Sequence, residues 1–397
     1  MVVNSGISNQ INAKLSESFE EMVDWRRHMH QYPELSFQEE KTAQYIQDKL
    51  ISFGLEVKTH IGGFGLIGIL EGEQPGKTVA LRADFDALPI QDEKEAPYKS
   101  QNPGVMHACG HDGHTAALLG TAKALSEFRR QLKGTVVFLF QPAEETPPGG
   151  AKSMVEDGVL EGVDYVFGAH LDSQAPIGTV SVGSGYQMAA VDKFSISIQG
   201  QGGHGARPHD TVDAIVIASD VVNALQKIVS RHVDPLQSAV VTIGVLQAGS
   251  AFNIIADKAT LEGTVRTFDA AIRKQIEKQI QRIVEGVTSA FGASYTIDYL
   301  NGYPALYNHP KETETVRNLL KAAFTEEQVV EMVPSMGAED FSYFLLEKPG
   351  TYFRVGSHNE NSTTQFPHHH PKFDFDERAL LNIGKSFIEI VAHYLVD

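Results

Sequence analysis

Between His107 and His114 the chain sets a thiol, three imidazoles and a carboxylate within eight residues, as His107-Ala-Cys109-Gly-His111-Asp112-Gly-His114. Thiolate, imidazole and carboxylate donors at that density suit a transition-metal site. Cys109 also admits a second chemistry, as a redox-active or nucleophilic thiol. A second cluster, Gln141-Pro-Ala-Glu144-Glu145, directly follows the apolar run GTVVFLF. Neighbouring side chains on an extended backbone point different ways. One glutamate can therefore coordinate a metal while the other faces a water. That division fits metal-assisted hydrolysis, in which the ion lowers the pKa of its water and the free carboxylate takes the proton. A third stretch, GQGGHGARPH, surrounds His204 with four glycines and a proline and predicts a tight loop with close backbone approach. As a turn it needs neither His204 nor Arg207, so the functional and structural readings stand level. The run His368-His369-His370-Pro371 holds further imidazoles, whereas His28 and His393, on helical patterns, read as ordinary helix residues.

These groups need elements to hold them. TVALRAD from Thr78, GTVVFLFQ from Gly134 and VDYVFGAH from Val163 are short β-branched and aromatic runs that read as buried strands. Helical patterns cover Phe37 to Phe53, His114 to Glu127 and Ala151 to Asp157. Strands alternating with helices predict an α/β fold with a mostly parallel, helix-covered sheet. The three strands lead into Asp84 and Asp86, Glu144 and Glu145, and His170. Ligands bind beyond the carboxyl ends of strands in such sheets, so the site is expected there. The middle of the chain differs. KFSISIQG, a helix over Thr211 to Ser230, SAVVTIGVLQ, ATLEGTVRTF, a helix over Asp269 to Phe291 and SYTIDYL give the order β-α-β-β-α-β. A second domain is therefore expected at 187–298, inserted into a first domain of 1–186 and 299–397. The α/β signals then resume with a helix near Thr313 to Phe324, the strand TYFRVGS and a helix over Asp376 to Tyr394.

Composition narrows the classes. The 397 residues are 42% hydrophobic and 21% charged, as in an ordinary globular enzyme. A net charge of −17 argues against nucleic acid or an anionic membrane as partner, since no basic excess exists to displace counterions. The single cysteine, Cys109, forms no intramolecular disulfide and fits a reducing compartment. The first twenty residues lack the apolar core of a signal peptide, and no run of 18 apolar residues occurs. The reading is of a cytoplasmic protein.

The blocks WRRHMHQYPELSFQEEKT, LRADFDALP, MHACGHDGHTA, QPAEE, GAH, GQGGHGARPH, FNIIAD, GTVRTF, MGAEDFSYF and HHHPKFDFDE resemble, in order, those of the M20 metallopeptidase family. They look most like its amidohydrolase branch of aminoacylase-like and hippurate-hydrolase-like enzymes. The resemblance implies a zinc-peptidase-like catalytic domain with an inserted ferredoxin-like (βαββαβ) lid that dimerises. It implies two divalent metals, whether manganese, zinc, cobalt or nickel. Cys109 would bridge them, His111 and Glu145 would complete one shell, and His170 and His369 the other, with His370 the fallback and His368 a bystander. Glu144 is implied as general base and Asp86 as the carboxylate that orients the site, while Asp84 stays outside the shell. His204 would stabilise the oxyanion, Asn253 and Arg266 would hold the substrate, and Gly337 would lie at the acyl pocket. The implied activity is hydrolysis of N-acyl-L-amino acids by an enzyme that is a homodimer. A dipeptidase or carboxypeptidase of the same family, a thiol-based protein and a silent scaffold are the alternatives.

Overall fold

A computed structural model describes residues 5–396. The chain divides into two compact units. The first runs through Gln187 and takes up Tyr307–Pro334 and the chain from Asp340 onward; the second is Met188–Leu306 with Ser335–Glu339. Residues 1–4 and Asp397 of the first-domain assignment lie outside the described residues.

The strands of the first part are β1 (Glu56–Ile61), β2 (Gly65–Glu71), β3 (Gln74–Asp84), β4 (Lys133–Gln141), β5 (Tyr165–Pro176), β6 (Val180–Val182) and the short β7 (Gly185–Met188). The insertion carries β8 (Ala190–Gln199), β9 (Gly203–His204), β10 (Ala239–Ala248), β11 (Ile254–Ile255), β12 (Lys258–Thr267) and β13 (Ser294–Asn301). The short β14 (Leu306–Asn308), β15 (Val329–Glu331) and β16 (Gly350–His358) follow.

The first unit is built on an eight-stranded sheet ordered β1-β2-β4-β3-β5-β16-β6-β15. Its central strands β4, β3, β5 and β16 run parallel. The β1–β2, β2–β4 and β16–β6 pairs are antiparallel, so the sheet is mixed. Helices cover it because its central strands are apolar on both faces: β4 is buried from Val136 to Gln141, with Phe138 and Phe140 at 0% exposure. Each such aromatic contributes roughly 2–3 kcal/mol through burial. Helix His111–Ser126 is itself buried almost all round, packed between the sheet and helices Phe19–Gln31 and Ala379–Leu395. Small residues permit this close approach. A Cβ at Gly120 would stand 2.5 Å from the sulfur of Met22.

The second unit is an antiparallel sheet ordered β10-β12-β8-β13 with helices Ala214–Leu225 and Ala270–Ala290 on one face. That is the split βαβ arrangement the sequence pattern predicts. Asp213 and Asp269 cap these helices, accepting the Ile215 and Ala271 backbone N–H groups at 2.9 and 2.8 Å. The single helix expected over Thr211 to Ser230 is broken at Gln226 into Ala214–Leu225 and Lys227–His232. The unit also outruns the expected 187–298. β13 continues to Asn301, because the alternation persists and Tyr299 stacks on Phe194 at 6.3 Å. Ser335–Glu339 joins it through the Ala189 N–H donating to the Gly337 carbonyl at 2.8 Å. Residues 299–306 and 335–339, assigned from sequence to the first domain, thus belong here.

Candidate metal centre

Three strands and two loops carry the candidate groups. β3 ends at Asp84, and Asp86 lies two residues beyond. β4 ends at Gln141, and the chain turns at Ala143, where φ is +53°, to bring in Glu144 and Glu145. His170 lies within β5 rather than at its end, but just past Gly168, the last residue that β3 pairs. Helix His111–Ser126 begins three residues before the expected start, so His111 to His114 form its first turn and Cys109 stands two residues before it. Gly110 precedes it at φ +96°, where a Cβ would lie 2.9 Å from Leu171 Cδ1, so only glycine fits between Cys109 and His111.

The first-unit residues named from sequence come together. Cys109 Sγ stands 3.5 Å from His170 Nε2, and Glu145 Oε1 lies 3.9 Å from His111 Nε2 and 3.3 Å from His369 Nε2. Donors on one tetrahedral ion stand about 3.3–3.7 Å apart, so these spacings suit shared cations. Donor atoms of Cys109, His111 and His170, of Cys109, Glu145 and His369, and of His111, Glu144 and Glu145 each lie within 4.8 Å of one another. Two of those atoms, His111 Nε2 and Glu145 Oε1, are buried without any hydrogen-bond partner. Buried lone pairs of this kind are otherwise costly. The donor set therefore fits divalent cations.

The surroundings orient those lone pairs. His111 Nδ1 donates toward the Asp86 carbonyl and Oδ1 at 3.0 and 3.1 Å, which turns Nε2 inward. Asp86 Oδ2 accepts from Ser36 Oγ at 2.7 Å and from the Glu145 N–H at 3.0 Å. His170 Nδ1 donates to the Leu171 carbonyl at 2.6 Å, leaving Nε2 toward Cys109. His114 is closed to metal: Nδ1 donates to Asp84 Oδ1 at 2.6 Å and Nε2 accepts the Leu171 N–H at 2.9 Å. Asp84 is committed too, its Oδ2 accepting from Arg82 at 2.6 Å. His369, at φ +65°, is fixed by its N–H donating to the Ala108 carbonyl at 2.8 Å. His370 turns away to stack on Phe366 at 4.5 Å and accepts the Lys372 N–H. His368 is half-buried against His170, ring to ring at 5.1 Å.

The charges are unbalanced without a cation. Burial pushes the Cys109 thiol well up, and the Glu145, Glu144 and Asp84 charges add to it. Burial opposes charging of His111, yet Asp84, Asp86 and Glu145 outweigh it and raise the imidazole to about 10. Arg82, then His111 and His114, hold Asp84 well below the usual carboxylate range against the opposing effect of burial. Burial and neighbouring imidazoles keep His170 neutral, its pKa well below the ordinary value. A divalent cation reverses the thiol and imidazolium preferences by displacing their protons.

Several supporting residues fall within the family blocks but were given no role from sequence. Arg26 is fully buried and reaches Asp112 at 2.9 Å, Asp374 at 2.8 Å and Glu377 at 3.2 Å. It thus ties the turn holding His111 to the segment following His369. Ser36 and Glu39, from Pro33-Glu-Leu-Ser-Phe-Gln-Glu39, reach Asp86 and Ala143. Burial, then the Asp86 charge, pushes the Glu39 carboxyl up to about 7.

The remaining named residues lie in the second unit. His204 is exposed on β9, and its Nδ1 accepts the Ala206 N–H at 3.0 Å. Asn253 accepts the Gly205 N–H on its carbonyl at 2.9 Å, beside the fully exposed Phe252. Arg266, half-buried on β12, donates to Thr264 Oγ1 and to the Val265 carbonyl, and makes no ion pair among the described residues. Gly337 has only Met188 Cε and Ser335 Oγ near its would-be Cβ, at 3.3 and 3.6 Å.

No helix of the described residues is long and apolar enough to cross a membrane. Comparison with known proteins gives concordant matches. YhaA of Bacillus subtilis (strain 168) is 52% identical over 381 residues, 96% of each chain. The N-acyl-L-amino acid amidohydrolase of Geobacillus stearothermophilus is 49% identical over 300 residues, covering 76% of this chain and 81% of its own. The crystal structure of the Bacillus subtilis YXEP protein, a dinuclear metal binding peptidase of the M20 family, superposes with a TM-score of 0.81 at 35% identity, over 95% of this chain and 98% of that one. The family profile described as peptidase family M20/M25/M40 matches residues 80–393, and the chain belongs to that family.

Proposed function

We propose that the protein is a divalent-metal-dependent amidohydrolase that cleaves the amide of N-acyl-L-amino acids to a carboxylic acid and a free amino acid. The observation that carries this is Glu144, a buried carboxylate not needed to complete the donor set, with His111 and Glu145 donors within 4.8 Å. The similarity to an N-acyl-L-amino acid amidohydrolase supports the substrate class. Cys109, His111, Glu145, His170 and His369 would hold two cations, with the Cys109 thiolate shared. Bound there, the cations would acidify water and polarise the substrate carbonyl. Manganese, zinc, cobalt and nickel all accept such a shell, and availability would select among them.

The chain's own groups do the rest. Glu144 takes the proton of the attacking water and delivers it to the leaving nitrogen. Asp86 holds the His111 tautomer that presents Nε2. From the second unit, His204 is assigned to donate to the developing oxyanion. Arg266, with Asn253, is assigned to the substrate carboxylate, since a guanidinium free of ion pairs can meet it bidentately. Gly337 is assigned to the acyl pocket, where a missing side chain leaves room. The β10 edge, with Val245 37% and Leu246 48% exposed, supports a homodimer formed through the second unit. A thiolate ligand keeps best in a reducing compartment, which supports a cytoplasmic setting.

The test is amine release from N-acetyl, N-benzoyl and N-succinyl amino acids and dipeptides, using protein reconstituted separately with each of the four metals. Cleavage of an acyl class is the expected result. Cleavage of dipeptides alone would replace the proposal with a peptidase, and no cleavage by any metal form would refute it.

A further inference from the structure

The turn that delivers Glu144 and Glu145 is held in an unfavourable backbone conformation. Ala143 has φ +53°, a region in which a Cβ crowds the following carbonyl and which costs a non-glycine residue roughly 1–2 kcal/mol. Such a residue persists only when its surroundings over-determine it. Two contacts do so. The Gly150 N–H donates to the Ala143 carbonyl at 3.1 Å. The Ala143 N–H donates to Glu39 Oε1 at 2.8 Å, across 104 residues of chain.

Glu39 is an unusual partner. It precedes helix Glu40–Ser52 at the capping position, yet its side chain makes no bond to that helix. Its carboxyl is fully buried, and Oε2 has no hydrogen-bond partner. A buried carboxyl with one orphaned oxygen carries a desolvation cost that a solvated side chain would avoid. Besides the Ala143 N–H, the backbone N–H groups of Phe37 and of Glu39 itself face this carboxyl, and the strained turn is the one distant segment it holds among the described residues.

We propose that Glu39 is a positioning residue for the hydrolytic reaction, holding Ala143 left-handed so that Glu144 and Glu145 are aimed into the metal centre. The inference rests on the amidohydrolase reading for its consequence in catalysis, though not for its structural content. Oε1 accepts the bond whether or not the carboxyl is ionised, so the role needs an acceptor and not a charge. The glutamine variant keeps that acceptor, the aspartate variant withdraws it by one methylene and the alanine variant removes it. A glycine at 143 adopts positive φ without the steric cost and so relaxes the need for the clamp.

The test compares Glu39→Ala, Glu39→Gln, Glu39→Asp and the double variant Glu39→Ala with Ala143→Gly. One readout is amide hydrogen exchange at Ala143 in the metal-free protein, and the other is kcat and KM of the reconstituted enzyme. Glu39→Ala is expected to exchange at least tenfold faster at Ala143 and to lose about 10–100-fold in kcat, with KM within about twofold. Glu39→Gln should keep both near wild type, and the double variant should recover part of the lost kcat. Wild-type protection in Glu39→Ala, a glutamine variant as impaired as the alanine one, or no recovery in the double variant would each overturn the inference. Should Glu39→Ala not fold, the contrast between Glu39→Gln and Glu39→Asp decides in its place. If wild-type protein cleaves no acyl amino acid, the amidohydrolase reading falls, while the exchange data alone still decide whether Glu39 clamps the turn.

Discussion

At the metal centre the chemical step depends on single side chains. Glu144 is the group whose loss should separate chemistry from assembly. Glu144→Gln should lower kcat by about 10²–10⁴-fold while metal content by elemental analysis stays at the wild-type value. Retention of turnover would remove the base from the scheme. Glu39 provides a titration of opposite character. Its folded carboxyl is pushed up to about 7 from an ordinary 4.5, by burial first and by the Asp86 charge second. Between these values the folded chain holds a proton that the unfolded chain has released. Its contribution to stability is therefore complete below pH 4.5 and is lost as pH rises to about 7. Glu39→Gln cannot ionise. The metal-free wild type should lose on the order of 1–3 kcal/mol relative to that variant across this window, read by denaturant unfolding at several pH values. Parallel stability curves for the two proteins would contradict the assignment.

Among elements, the loops before helix His111–Ser126 and after His369 matter most, because each delivers a ligand from a turn that the rest of the fold must brace. Gly110→Ala places a Cβ at φ +96° and 2.9 Å from Leu171. It should cost about 1–3 kcal/mol and lower metal affinity, since Cys109 and His111 flank the strained position; calorimetric metal titration checks it. Arg26→Met should be harsher. Removing the guanidinium leaves Asp112, Asp374 and Glu377 without their shared partner, two of them nearly dry, for about 3–5 kcal/mol in chemical denaturation. A near-neutral result would mean that the network is not what fixes the loops. These elements also show what a sequence can disclose. Strands β3, β4 and β5 were legible because burial on both faces demands uninterrupted apolar runs, and the donor motif because its chemistry is local. Helix Phe19–Gln31 was legible only as the helical pattern around His28, and helix Ser5–Glu17 was not legible, since its fully buried apolar residues are Ile11 and Leu15 in a polar stretch. Nor were Ser36 and Glu39, ordinary polar residues until the fold sets them against Asp86 and Ala143, 50 and 104 positions away.

For the whole molecule, the surface proposed to associate lies on the second unit. β10 lies at an edge of its sheet with Val245 and Leu246 uncovered, and Phe252 is fully exposed in the same unit. Val245→Asp with Leu246→Lys should convert a dimer into a monomer in sedimentation experiments while leaving the first unit's metal stoichiometry unchanged. A dimer that survives both changes would place the interface elsewhere. A further property follows from Cys109 being the chain's single sulfhydryl and also a member of the donor set. Thiol reagents can modify only this one sulfur, and a coordinated thiolate is shielded from them. Without cation the sulfur stays buried and protonated, so folded protein labels slowly with or without metal and fast maleimide labelling reports unfolded chain. The same arrangement guards the depleted enzyme from oxidants, since peroxide attacks the thiolate and not a buried thiol. With no second cysteine to close a ring, oxidation to sulfenic acid or a link between two chains would follow unfolding of the chain rather than loss of its metal.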